Sequence, residues 1–161
     1  MPLSKEVHGI EMPYILTEQL KKQKQDAIRI IKLILADNEI SDNMKEKVID
    51  VMLWNITGIG EGSLGQYLIR FRSTNSINNK DSELRHEHVY QRKNLRKLIL
   101  TEGALSQETI DNIIGCVVTK EEHEKLHKVD KSLDGWDRYV AANIEVQDME
   151  NNCKYIFPSV K

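Results

Sequence analysis

The chain is poor in the residues that cross-link or break a backbone: two cysteines, three prolines and eight glycines among 161 residues. Cys116 and Cys153 can pair only once, and a chain of this length buries enough surface to fold without that bond. Both read as free thiols in a reducing compartment. So few glycines and prolines disfavour a turn-rich β-sandwich and favour helices. No run approaches the ~20 apolar residues of a membrane span. The opening MPLSKEVHGIEMPYI lacks the apolar core of a secretory signal, so a cytoplasmic protein with no membrane partner is the expectation. An excess of one charge is also missing: 23 Lys and Arg stand against 25 Asp and Glu, a formal net charge of −2. That balance excludes a protein that coats nucleic acid over its whole surface, but it leaves room for a local basic site.

What is present reads as one α+β domain, mainly helical, over residues 1–161. Residues 1–80 form a helical scaffold, 83–130 a two-strand-and-helix element with a helical insertion, and 131–161 a C-terminal packing segment. An arm ending at Pro13 precedes a helix from Thr17 to Ala36, with Leu20, Ala27, Ile30, Ile31, Ile34 and Leu35 near the 3.6 period. Ser41 or Asp42 caps a second helix to Ile56, with Met44, Val48, Val51, Met52 and Ile56 inward. The two predict an αα-hairpin. TGIGEGSLG (57–65) holds four of the eight glycines, but it follows a helix and has no Lys-Ser/Thr after it, so it reads as a wide turn rather than a phosphate cradle. Residues 66–72 are a strand or short helix, and 73–82 a polar loop. A short strand at 83–90 is expected next, then a helix at 93–100. A Ser106-capped helix with Ile110, Ile113 and Ile114 inward follows, ended by Gly115. Cys116 to Val118 is a β-branched strand, and Thr119 caps a helix whose first turn carries Glu121 and Glu122. Trp136, Tyr139, Ile144, Val146, Tyr155, Ile156 and Phe157 are the packing residues of the tail.

Histidine is scarce too, yet it is clustered: four of five fall in His86-Glu87-His88 and His123…His127. On a strand, His86 and His88 share one face and Glu87 takes the other, unless the strand bends. On a helix, His123 and His127 stand one turn apart on a common face, where two imidazoles can serve one cation. Imidazole with carboxylate suits zinc, manganese or magnesium. His123-Glu124-Lys125-Leu126-His127 also fits H-E-x-x-H, the zinc metalloprotease helix. No histidine follows it, so a third ligand for that chemistry would be a downstream carboxylate such as Glu145 or Asp148. A structural zinc held by His86, His88 or Cys116 together with the helix histidines is a further arrangement, and a helical accessory protein without metal another.

VVTKEEHEKLH, Val117 to His127, resembles the final strand and helix of the HNH endonucleases, the ββα-metal superfamily, especially the colicin-type DNases. There a Val-Val-Thr-Pro segment leads into a helix with two histidines four apart; here Lys120 replaces the proline. Glu87-His88-Val89 is similar to the family's first motif. The likeness covers residues 85–127 and departs from the pattern at Gln91, where many members have proline, and in the helical stretch between His88 and Val117. It implies a single divalent ion held by Glu87, His123 and His127, with His88 as general base. Asn112, with Asn94 as rival, would orient the base. The implied reaction is hydrolysis of a nucleic-acid phosphodiester, with DNA the expected partner. Arg85, Arg92, Lys93, Arg96 and Lys97 are the local basic cluster, against Glu87 alone, and their expected role is phosphate positioning. A homodimer is expected on general grounds, since symmetric pairs are the commonest oligomers.

Overall fold

A computed structural model describes residues 14, 16–57, 69–78, 83–151 and 154–157, with the backbone alone from 151 onward. The N-terminal arm to Pro13, the glycine-rich turn at 58–65, residues 79–82, Cys153 and the side chains of Tyr155, Ile156 and Phe157 lie outside the described residues. Helix α1 (Glu18–Ala36) starts where Thr17 Oγ1 accepts the Leu20 N–H at 3.0 Å. Helix α2 (Asp42–Ile56) is opened in the same way by Ser41. Leu20, Ala27 and Ile31 from α1 and Ile49, Leu53 and Ile56 from α2 are buried, and the two pack as the expected helical hairpin.

Ile56 is buried as expected, but before it the buried line of α2 is one residue out of phase with the expected one. Met44 and Val51 are exposed, Val48 and Met52 half-buried, and Ile49 and Leu53 carry the packing. The cause is a second neighbour. Helix α4 (Arg92–Glu102) also lies against α2, sending Leu95 and Ile99 into the cluster that holds Ile49 and Leu53. Asp50 of α2 receives Arg92 at 2.7 Å and Arg96 at 2.6 Å, and Arg96 is 3.5 Å from Glu46. The side of α2 between its two neighbours is therefore the buried one. Ile30 of α1 is exposed for a simpler reason: Ala27 and Ile31 already fill the contact with α2. Helix α5 (Gln107–Asp111), capped by Ser106, completes this layer but stops earlier than expected. Ile113 enters the core beyond its end, and Gly115 begins a strand instead of ending the helix.

Five strands form one sheet: β1 (Phe71–Ser73), β2 (Leu84–His88), β3 (Gly115–Thr119), β4 (Val146–Asp148) and β5 (Lys154–Phe157), in the order β2-β3-β1-β4-β5. β1 and β3 are parallel; the other neighbours are antiparallel. The expected polar loop after β1 contains a short helix, α3 (Thr74–Asn78), whose Ser76 bonds back to Ser73 and across to the Val117 carbonyl. Helix α6 (Lys120–Lys128) follows β3 directly, and α7 (Trp136–Ala141) begins at Gly135. Gly135 has φ 64°, and a Cβ there would stand 2.5 Å from the Tyr90 ring. No described helix is long and apolar enough to cross a membrane. The chain is thus α+β and mainly helical, as its composition and periodicity predict.

The register sets two faces. Glu87 pairs with Cys116 and Arg85 with Val118, while His86 pairs with Val117 and His88 with Gly115. Cross-strand partners share a face and neighbours along a strand alternate, so Arg85, Glu87, Cys116 and Val118 look one way and both histidines look the other. The first face is covered by Leu126 of α6 and Tyr139 of α7, which cluster with Cys116, Val118, Ile144 and Val146. The second meets α2.

Glu122 locks α6 to the sheet. It is 2 % exposed, and its carboxylate accepts the Thr119 N–H at 3.0 Å, the Ser73 hydroxyl at 2.5 Å and the Asn75 amide at 2.9 Å. The Thr119 hydroxyl accepts the Glu122 N–H in return, a complete capping box. Glu122→Ala leaves these donors unpaired and is expected to cost about 3 kcal/mol, read as a melting temperature lower by about 10 °C. A thermal melt with less than a 2 °C change would contradict that role.

Candidate metal centre

Three side chains converge on the α6 face of β2. One ligand atom each from Glu87, His123 and His127 lies within 4.8 Å of the others, close enough to hold a metal ion. Glu87 is supplied by the strand. The two histidines come from the first and second turns of α6, which the Thr119 cap starts at a fixed point after β3. His123 Nδ1 is in hydrogen-bond contact with Glu87 Oε1, and His127 Nε2 is 3.7 Å from the same oxygen. Donors bound to one ion at about 2.1 Å stand within about 4 Å of one another, so this set fits a shared cation with little adjustment. Exposure grades outward: the Glu87 side chain is 9 % exposed, His123 32 % and His127 60 %. The group therefore has one buried side, at Glu87, and one solvent-facing side, at His127.

His88 does not join the triad. β2 stays regular to its last residue, so its imidazole lies on the opposite face, buried against α2. There Nε2 is 3.3 Å from the Leu53 carbonyl and 3.2 Å from the Thr57 hydroxyl, and the ring meets Trp54 edge-on at 4.5 Å. Burial lowers its pKa to about 4. The expected general base is thus turned away from the metal ligands. The residues that hold it, Thr57 and the Leu53 carbonyl, replace the expected asparagine. Asn112 is the C-cap of α5, and Asn94 donates to Asp134 at 2.7 Å. His86 stacks on His88 at 5.8 Å, and its Nε2 is buried without a hydrogen-bond partner among the described residues. Burial lowers its pKa to about 3.

The basic cluster is also divided. Arg92 and Arg96 are spent on the α2 carboxylates, and Arg92 lies 4.4 Å over the Trp54 ring. Lys93 and Lys97 are exposed on the same helix, which packs against α2. Only Arg85 shares the Glu87 face of β2, where it is ion-paired with Glu83 at 2.7 Å. The run of positive charge around His88 is therefore chiefly a clamp between two helices. Phosphate positioning by Arg92 and Arg96 does not fit this placement.

Two other arrangements are corrected by the same geometry. Cys116 is fully buried beneath the sheet, its thiol bonded to the Val117 carbonyl and its pKa raised by burial, and it is not among the converging ligands. Among the described residues the thiol is therefore not part of the converging set, although Cys116 shares the Glu87 face of the sheet. The metalloprotease pattern needs a downstream carboxylate, yet Glu145 is exposed and outside the cluster, and Asp148 is held by Arg70 at 2.6 Å. The third donor is Glu87, upstream.

One member of the centre escaped the sequence reading. Arg138 of α7 is 3 % exposed, with Nη2 3.6 Å from Glu87 Oε2. Its Nη1 donates to the carbonyls of His88 at 3.3 Å and Val89 at 3.2 Å. The only available signal was an arginine between the packing residues Trp136 and Tyr139. Comparison of the chain with protein-family models, with curated proteins and with solved structures gives no match.

Proposed function

We propose that the protein is a divalent-metal-dependent phosphodiesterase acting on nucleic acid, built on an HNH-like strand–strand–helix unit. One observation supports it most: Glu87 from the first strand of an antiparallel pair meets His123 and His127 from the helix that directly follows the second strand, with an open outer side. This is the ligand order of the family that the 85–127 segment resembles. Two imidazoles and one carboxylate favour zinc or manganese over magnesium. Bound between Glu87, His123 and His127, a divalent ion would supply Lewis acidity, which stabilises the charge that develops on a phosphodiester in the transition state. Glu87, His123 and His127 would hold the ion, and the exposed side of His127 is where substrate would reach it. Arg85, two residues from Glu87 on the same face of β2, is the cluster cation this reading assigns to the incoming diester. His88 serves the fold: it plugs the gap between β2 and α2 and anchors the strand that carries Glu87.

The test is nicking of supercoiled plasmid with Zn²⁺, Mn²⁺ or Mg²⁺, comparing the natural chain with His123→Ala and His127→Ala. Metal-dependent nicking by the natural chain, reduced about 100-fold or more in both variants, is the expected result. Cleavage that survives both substitutions, or none with any of the three ions on DNA or RNA, overturns the reading.

A further inference from the structure

We propose that Arg138 is the built-in counter-cation of this centre: a positioning residue that claims one oxygen of Glu87 and keeps the metal-free site formally neutral. The inference rests on the reading of Glu87, His123 and His127 as metal ligands. The two carboxylate oxygens have different neighbours. Oε1 faces both histidines, while Oε2 faces the Arg138 guanidinium at 3.6 Å. Arg138 cannot swing aside cheaply, because Nη1 holds the His88 and Val89 carbonyls at the end of β2 and the side chain is 3 % exposed. Glu87 is thereby turned so that a single oxygen points to the metal position, a one-oxygen ligand rather than a chelating one.

The charge consequence is as definite. Carboxylate and guanidinium cancel, so a divalent ion entering between the imidazoles brings both of its charges to the centre uncompensated. Without Arg138 the carboxylate would neutralise one of them. Arg138 therefore weakens metal affinity while leaving the loaded centre more positive toward an anionic substrate. That is the balance suited to a phosphodiester, whose charge grows toward the transition state.

The test uses isothermal titration of the full chain with Zn²⁺ and Mn²⁺, together with the nicking assay. Arg138→Met is expected to bind metal about tenfold tighter, since a nearby positive charge is lost from a partly buried site, and to nick DNA about 100-fold more slowly. A residue that merely supported the fold would lose both on substitution. Arg138→Lys keeps the charge, and since the charge sets the affinity it should bind metal within about threefold of the natural chain; if Arg138→Met does not fold, Arg138→Gln, which removes the charge but keeps a donor for the strand-end carbonyls, takes its place with the same expected tightening. Weaker or unchanged metal binding in Arg138→Met, or more than a tenfold change in Arg138→Lys, overturns the proposal. No metal binding by the natural chain removes the centre and this proposal together. Metal binding without nicking removes only the nuclease reading, and the affinity comparison still decides the role of Arg138.

Discussion

Glu87→Gln is expected to abolish divalent-ion binding and, with it, any metal-dependent activity. The amide keeps the size of the side chain but removes its charge and replaces one acceptor oxygen with a donor. Near His123 and His127 that leaves two imidazoles on one exposed helix, a weak site by itself; affinity should fall by about 100-fold or more. The same change leaves Arg138 buried beside a neutral group. Losing one partner of a buried pair costs about 3 kcal/mol. Both effects appear in one experiment, a thermal melt with and without metal. The natural chain should gain about 2.7 kcal/mol with free ion at a hundred times its dissociation constant, a rise of several degrees. Glu87→Gln should melt lower without metal and gain nothing from it. An unchanged metal-induced rise would show that Glu87 is not a ligand, whatever else binds.

The candidate ligand set was legible in two ways: the histidine pair from its local spacing, and Glu87 from the family resemblance. His123 and His127 are one turn apart behind a threonine cap, and Glu87 lies in a short run whose alternation decides its direction. The register of β2 with β3, Glu87 opposite Cys116, then brings strand and helix together without further information. His88 was misplaced by following the family motif over the alternation. The regular strand places neighbours on opposite faces, and hydrogen bonding continues past His88 to Val89, whose N–H donates to the Ile114 carbonyl at 2.9 Å. Nothing bends the strand where a base adjacent to the metal would require it.

Two further misreadings share a cause. The phase of α2 and the purpose of Arg92 and Arg96 both depend on α4 lying against α2. Asp50 and its arginine partners are more than 40 positions apart, so a count of local charge sees a cationic patch where the fold has an ion-paired seam. Arg138 was missed for the same reason: its role comes from backbone carbonyls of β2, and no side-chain pattern announces them. Short-range periodicity and capping placed the helical hairpin, the helices behind Arg92, Ser106 and Thr119 and the strands on either side of them, while the family resemblance supplied Glu87. None of these could identify what faces them across the core.

Acid should strip much of the stability from the protein before its carboxylates titrate. His86 and His88 lie stacked between β2 and Trp54, with pKa values lowered to about 3 and about 4 chiefly by burial. Each is favoured neutral in the fold, whereas in the unfolded chain each takes a proton near pH 6.5. Above pH 6.5 neither state is charged and folding loses nothing. Below it the unfolded chain binds protons that the folded one refuses, so stability falls until pH passes through the folded values. Between pH 6.5 and 4.5 the two together should remove about 5 kcal/mol, at about 1.4 kcal/mol per unit for each. That is a large share of the stability of a domain this size. Urea midpoints measured in chelator, so that metal release adds nothing, should drop steadily through this range. Paired aspartates and glutamates act only below about pH 4.5, which separates the causes. His88→Gln keeps a donor for the Leu53 carbonyl and removes one titration, and with His86→Gln the pH slope should disappear. A midpoint that stays level in the natural chain from pH 7 to 4.5 would mean that these imidazoles are not sealed between the strand and the helix.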